Sequence, residues 1–389
     1  MAKKRSNGEG SICRRSDGTW QAQATVGFDP ATGKSKRKTF YGKTRKEVVD
    51  KMQKVLVEFK TGNYIEPTAL TIGQWLDDWH QGRKPHISEN THELLGTMIR
   101  CHLNPVLGAI RLKDLRTRDI QKLLNEKFSS GRVDGRGGLS PRTVKHIHSA
   151  LNGALRQAVK ERLLLHNPCE GVELPRKVNR EMRTFSREDL QLFLAKTKNH
   201  PHYPAFLLTI GTGLRRGELL GLRWSDVDFH KGMLSIKQQI VRGRHGLLFG
   251  EPKTPKSKRS IALHKELIDV LKAHKKQQNE VRLLLGAAYA DHGLVFCRED
   301  GMPLDPCQFA RQFGAAVKRA GLEKIRFHDL RHSYATLSLE AGVSLKAIQE
   351  VLGHTSITMT GDIYGHVTER MRQEAADKIG AVLVGCLEE

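Results

Sequence analysis

Two polar, turn-rich breaks, KTGNYIEPT at residues 60–68 and LPRKVNREMR at 174–183, constrain this chain more than any other feature. Gly, Pro and Asn end periodic segments, so the periodicity on each side of a break can be read by itself. Ahead of the first break, GSICRR, TWQAQATVGF and KSKRKTFYG alternate polar with apolar or β-prone residues. The turn signals SDG and DPATG separate them, which predicts a three-stranded meander. Thr44-Arg45-Lys46-Glu47 then reads as a capping box. Val48, Met52, Val55 and Phe59 follow at helical spacing, giving a helix with one face on the sheet.

Between the breaks the period is helical. Thr71 and Gln74 form a cap signal before Trp75, Leu76 and Trp79, whose indoles suit a core better than a base-stacking platform. In SPRTVKHIHSALNGALRQAV, Ser140 is placed as N-cap and Pro141 at the first helical position. Val144, Ile147, Leu151, Leu155 and Ala158 keep the helical period, while Arg142, Lys145, His148 and Arg156 fall elsewhere. A helical bundle with a basic side follows. Beyond the second break, the cap-like Ser186-Arg187-Glu188-Asp189 opens a larger mixed region. Helices dominate it, with MLSIKQQIV and RSIALH as strands around the loop GEPKTPKSK. The expected domains are 1–62, 68–168 and 180–389, giving a multidomain, mainly α chain with α+β parts.

Charge sets the partner class. Lys and Arg number 65 against 42 Asp and Glu, a net +23 with pI near 9.9. A chain of that sign binds polyanions, because each phosphate neutralised releases a counterion. Strands of the first domain carry the candidate DNA contacts Arg14, Trp20, Gln21, Gln23, Lys36 and Lys38, though alternation alone does not say which face they share. Arg142 and Lys145 are candidates in the second domain. Mean hydropathy of −0.47 leaves no membrane-length apolar run, and no apolar stretch follows the basic MAKKRSNGEGSICRR. Six scattered cysteines without a CxxC pair read as reduced thiols. Together these predict a cytoplasmic protein.

The chemistry is spread over the last domain. TGLRRGELLGLRWSDVD supplies Arg215 at a helix start, and GEPKTPKSKRSI supplies Lys253 on a loop between strands. HDLRHSYAT supplies His328 and Arg331 on one helical face, LGHTSITMT supplies His354, and GDIYGH supplies Tyr364, one of only six tyrosines. Two arginines, a lysine, two histidines and a tyrosine suit phosphoryl transfer without a metal or other cofactor. Guanidiniums grip non-bridging oxygens with fixed forks and stay charged. Tyrosine, with a reference pKa of about 10, needs surrounding cations and a proton acceptor to attack. A lysine protonates the leaving alkoxide. Lys256 and Lys258 share the loop with Lys253, so the proton donor among the three stays open. A zinc site at His328 and His332 lacks both an HExxH glutamate and a third ligand motif.

The order of these boxes resembles the tyrosine recombinase (phage integrase) family. Arg215-Arg216-Gly217-Glu218-Leu219, His328-Asp329-Leu330-Arg331-His332, Leu352-Gly353-His354 and Asp362-Ile363-Tyr364 carry the resemblance over roughly 180–370. Gly361, where relatives often have a larger residue, is a local departure. The three-part layout is similar to integrases of conjugative transposons and temperate phages: an arm-binding sheet, a helical core-binding (SAM-like) domain and a catalytic domain. The resemblance implies a site-specific DNA recombinase acting through a 3′-phosphotyrosyl intermediate. Its catalytic residues would be Arg215, Lys253, His328, Arg331, His354 and Tyr364, with Glu218 orienting one of them. It further implies a tetramer on two DNA sites, an excision factor and a host DNA-bending protein. A type IB topoisomerase and a non-catalytic DNA-binding regulator are the alternatives. The tail RMRQEAADKIGAVLVGCLEE, with Ala375, Ile379 and Val382 on one helical face, is expected to cap its own subunit or dock on a neighbour.

Overall fold

The structure is a computed structural model that describes residues 10–28, 32–61, 64, 69–132, 134–176, 183–243, 246–252, 257–353 and 376–377. The chain forms two compact units, Met1–Val178 and Asn179–Glu389.

The first unit holds two separate hydrophobic cores. Strands β1 (Ser11–Arg14), β2 (Trp20–Phe28) and β3 (Ser35–Gly42) form an antiparallel sheet in that order. Ile12 pairs with Ala22, and Ala22 with Phe40; residues opposite one another share a face. Ala22, Ala24 and Phe40 are therefore buried together, against Val48 and Met52 of helix α1 (Arg45–Lys60). Thr44 Oγ1 accepts the N–H of Glu47, but the reciprocal arm shifts, Glu47 Oε2 accepting from the Lys43 N–H at 3.0 Å. Phe59, expected on the packed face, is 41% exposed. Its ring lies beside Gly27, which has no side chain to pack on it, and sits edge-on to Tyr64 with centroids 6.3 Å apart.

The other core of this unit is helical: α2 (Ile72–Arg83), α3 (Glu89–Met98), α4 (Asn104–Leu107), α5 (Thr117–Ser130) and α6 (Pro141–Lys160). Both arms of the Thr71–Gln74 capping box are made, and Ser140 caps α6 through the Thr143 N–H. Val144, Ile147, Leu151, Leu155 and Ala158 are fully buried, as the helical period requires. Trp75 is a core residue whose Nε1–H donates to Ala154 O at 2.9 Å, so its one polar atom is satisfied inside the bundle.

The second unit runs α7 (Arg187–Thr197), α8 (Tyr203–Thr212), α9 (Arg216–Gly221), β4 (Val227–Asp228), β5 (Met233–Ile236), β6 (Gln239–Gly243), β7 (Gly246–Gly250), β8 (Arg259–Ala262), α10 (Lys265–Leu285), α11 (Pro306–Arg319), α12 (Asp329–Glu340) and α13 (Leu345–Leu352). MLSIKQQIV is not one strand. It breaks at Lys237-Gln238, β5 joining the sheet β4-β5-β8 and β6 pairing with β7 as a separate hairpin. Gln238 marks the break by donating from Nε2 to Gly221 O at 2.6 Å. The β7 segment GLLFG escaped the alternation reading because Leu248 and Phe249 both stay exposed. Phe193, Phe206, Phe309, Phe313 and Phe327 pack ring against ring, with centroids 5.0 to 5.9 Å apart. Pairs of this kind contribute about 0.5–1.5 kcal/mol each beyond burial. Phe327 thus anchors the residue that follows it, His328. The architecture is the multidomain, mainly α one expected, with a three-stranded sheet and helix, a helical bundle, and a mixed α/β unit.

Candidate active site

Arg215 sits at the N-terminal edge of α9 because Gly213 ends α8 in the left-handed region, at φ 64°. Glu218, at the third position of α9, turns back so that Oε2 accepts the Arg215 N–H at 3.1 Å and Oε1 accepts from Arg215 Nη1 at 2.7 Å. Arg331 projects from the first turn of α12 and is 2% exposed. Its Nη1 donates to Gly213 O at 2.9 Å and its Nη2 to Leu352 O at 2.5 Å. Arg215 Nη2 donates to the next carbonyl, Gly353 O, at 3.2 Å. Two arginines remote in sequence therefore meet on neighbouring carbonyls at the end of α13. Arg215 keeps a third of its side chain open to solvent.

His328 stands at the start of α12, perpendicular to His332 with ring centroids 5.2 Å apart. His328 is exposed as a residue, with its ring set against that of His332. Burial, then the proximity of His332 and Arg331, and more weakly Arg215, push its pKa down to about 4. The imidazole is therefore held in its neutral form at working pH. His332 is 7% exposed and likewise depressed by burial first, as a packed histidine should be. Among the described residues, no group of three His, Cys, Asp or Glu is placed to hold a metal ion.

Arg259 is the residue that motif reading missed. It opens β8 opposite buried Ile236 and shares a face with buried Ile261, so its guanidinium enters the core. Nη1 and Nη2 donate to Glu218 Oε1 and Oε2 at 3.2 and 3.0 Å, Nη1 also to Ser257 O at 3.1 Å, and Nε to Val351 O. Burial alone would raise the Glu218 carboxyl, but the hydrogen bonds and charges of Arg259 and Arg215 outweigh it and hold the group below the usual range. The signal was available: in RSIAL the period of two places a charge on the inward face, and a buried charge needs a partner.

Of the expected residues, the structure brings together Arg215, Glu218, His328 and Arg331. Lys253, His354 and Tyr364 lie outside the described residues, as do Lys256 and Ala375, Ile379 and Val382 of the tail. Lys258 is described and pairs with Glu251 at 3.1 Å. In the sheet, the register separates the candidate contacts. Gln21 and Gln23 lie with Arg37, Thr39 and Tyr41 on the face away from α1, and Arg15 lies over the Tyr41 ring at 5.4 Å. Trp20 and Lys38 fall on the α1 side, Lys38 Nζ reaching Tyr64 Oη at 3.4 Å. Arg14, opposite Trp20, and Lys36, opposite Gly27, are exposed at the sheet's margin. Arg142 and Lys145 are exposed on α6.

Two family profiles match the chain: the phage integrase family over residues 182–371, and the phage integrase N-terminal SAM-like domain over 71–128. The chain is 30% identical over 388 residues to a tyrosine recombinase XerC-like protein of Caldanaerobacter subterraneus subsp. tengcongensis, covering 94% of this chain and 96% of that one. It is 32% identical to an integrase of Streptomyces ambofaciens, with 94% of each covered. The ICEBs1 integrase of Bacillus subtilis is 28% identical over 96% of this chain and all of that one. Among solved structures, the Tn1549 transposon integrase bound to a circular intermediate DNA superposes with TM-score 0.68 at 22% identity, over 80% of this chain and 99% of that one. A lambda integrase tetramer bound to a Holliday junction gives 0.57 at 22% identity, over 92% and 96%. With near-complete coverage by relatives of one kind and two arginines brought onto one helix end, the chain belongs to the tyrosine recombinase (phage integrase) family of enzymes that cut and rejoin DNA strands.

Proposed function

We propose that this recombinase integrates and excises a mobile element, with Tyr364 as nucleophile and Arg215, Lys253, His328, Arg331 and His354 as the rest of the catalytic set. The observation that carries the reading is the pair Arg215 and Arg331 on adjacent carbonyls beside a neutral His328. Arg215 and Arg259 both hold Glu218, and Arg331 brings a third guanidinium to the same helix end, a cluster suited to a bound phosphate. Tyr364 Oη attacks the scissile phosphorus, and its proton passes to a histidine. The P–O5′ bond breaks, and Lys253, Lys256 or Lys258 protonates the departing oxygen. The phosphotyrosyl ester keeps the energy of the cleaved bond, so rejoining is the same steps reversed.

Relatives that match along nearly their whole length are integrases, which favours recombination over plain relaxation of DNA. Residues 1–62, 68–168 and 180–389 act as arm-binding, core-binding and catalytic domains. The active assembly is a tetramer on two sites, a reading supported by the lambda integrase tetramer bound to a Holliday junction, and works in the cytoplasm with an excision factor and a host bending protein. The test is a nicked suicide duplex built on the core sequence that the full-length protein selects from a random library. Wild type should form a covalent adduct, and Tyr364→Phe should bind the duplex without forming one. An adduct that survives in Tyr364→Phe would overturn the assignment.

A further inference from the structure

Three arginines from three different elements hold three consecutive backbone carbonyls. Arg259 of β8 takes Val351 O, Arg331 of α12 takes Leu352 O, and Arg215 at the edge of α9 takes Gly353 O. The last carbonyls of a helix have no partner within it, and its negative dipole end favours cations. Gly353, left-handed at φ 63°, closes α13 by donating its N–H to Gln349 O and Glu350 O. The three carbonyls that remain all go to guanidiniums, and the residue after them in sequence is His354.

Arg259 differs from Arg215 in burial, its side chain being 7% exposed against 33%. It occupies both oxygens of Glu218, the same carboxylate that holds Arg215. Glu218 is 3% exposed, so its charge must be met by cations inside the protein. With Arg259 in place, Glu218 needs only one nitrogen from the Arg215 side chain. Without it, the carboxylate still holds Arg215, and a planar fork readily closes on a carboxylate with both arms. Arg215 would then face Glu218 and not the substrate.

Resting on the proposed function above, we infer that Arg259 is a positioning residue for strand cleavage: by saturating Glu218 and pinning Val351 O, it keeps Arg215 turned outward to the scissile phosphate. It does not touch the substrate. It acts on the arginine that does, and it ties β8, which follows the lysine loop, to the segment preceding His354.

The test uses the full-length protein and the nicked duplex selected above, made with an ordinary scissile phosphate or with a methylphosphonate there. The methylphosphonate lacks one non-bridging negative charge and so leans less on Arg215. Arg259→Lys keeps the charge but cannot span Glu218 and Val351 O together. On the phosphodiester, Arg259→Lys should form adduct about ten- to a hundredfold more slowly, the scale of a mispositioned group, with DNA affinity within about threefold of wild type. On the methylphosphonate the deficit should shrink to about threefold or less. Because both rates come from one preparation, their ratio is unaffected by any loss of folded protein. An equal deficit on both substrates makes Arg259 merely structural and overturns the inference, as does no deficit on either. A wild-type chain that forms no adduct overturns the underlying recombinase reading and this inference with it.

Discussion

Arg331 and Gly213 meet across 118 positions of chain, the Arg331 Nη1 donating to the Gly213 carbonyl at 2.9 Å. That contact lets the turn between α8 and α9 set where a buried guanidinium points, and the turn exists because Gly213 tolerates φ 64°.

Replacing Gly213 by Ala should therefore damage fold and site together. An added Cβ would meet Leu352 Cδ2 at 2.5 Å and Tyr334 Cδ1 at 2.8 Å, in a backbone conformation that side chains disfavour. The strain alone costs about 1–3 kcal/mol. A urea melt of Gly213→Ala should show at least that loss, and adduct formation should fall further than the unfolded fraction explains.

Acid should destabilise the second unit through its neutral histidines. The folded pKa of His328 lies at about 4, below the unfolded value of about 6.5. Between those limits the unfolded chain binds a proton that the native one refuses, so stability present above pH 6.5 is lost as pH falls toward 4. His328 is exposed as a residue, so solvent screens it and the loss is smaller than a fully enclosed histidine would give. His332, His202 and His274, each depressed by burial first, add losses of the same sign. Melting temperature should drop from pH 7 to 5 in wild type and drop less in His328→Gln.

Most of the scaffold was legible because its signals are local. Thr71, Ser140 and Ser186 cap the helices they were read to cap, and the period of α6 gave its buried face residue by residue. Arg215, His328 and Arg331 could be picked out because their motifs occur in a fixed order. Arg259 was not, because its partners Glu218 and Val351 lie 41 and 92 positions away and no local spacing reports such a pairing. The β6–β7 hairpin was missed because MLSIKQQIV read as one strand and β7, with Leu248 and Phe249 both exposed in succession, breaks the alternation. Sheet register, which depends on turn geometry, decided which side Lys38 and Gln23 take.

Ser333→Ala should expose another distant tie. Ser333, fully buried in α12, accepts the Phe185 N–H at 2.9 Å and donates to Asp329 O at 3.1 Å. Phe185, itself 3% exposed, leads into α7 and rests on Phe193 with ring centroids 5.8 Å apart. Removing the hydroxyl strands a buried N–H, at a cost of about 1–3 kcal/mol. Hydrogen exchange at Phe185 should speed up in the variant before global unfolding does; unchanged protection there would mean another acceptor takes over.

The two faces of the N-terminal sheet should separate in a salt titration. Arg37 lies opposite Thr25 on the face away from α1, the face that also carries Gln23 and Tyr41, and is exposed there. Lys38, one residue on, points to the α1 side, its ammonium 5.2 Å from the Tyr64 ring centroid and 5.9 Å from that of Phe40. A lysine held over aromatic rings has its charge partly engaged, while an exposed arginine is available to a phosphate. If the open face meets arm-site DNA, Arg37→Ala should weaken that binding and reduce the slope of log affinity against log salt by about 1. Lys38→Ala should leave the slope nearly unchanged and instead lower the melting temperature. The reverse pattern would place DNA on the α1 side. Binding to the selected core duplex should respond to neither variant, since the sheet's proposed partner is a separate site.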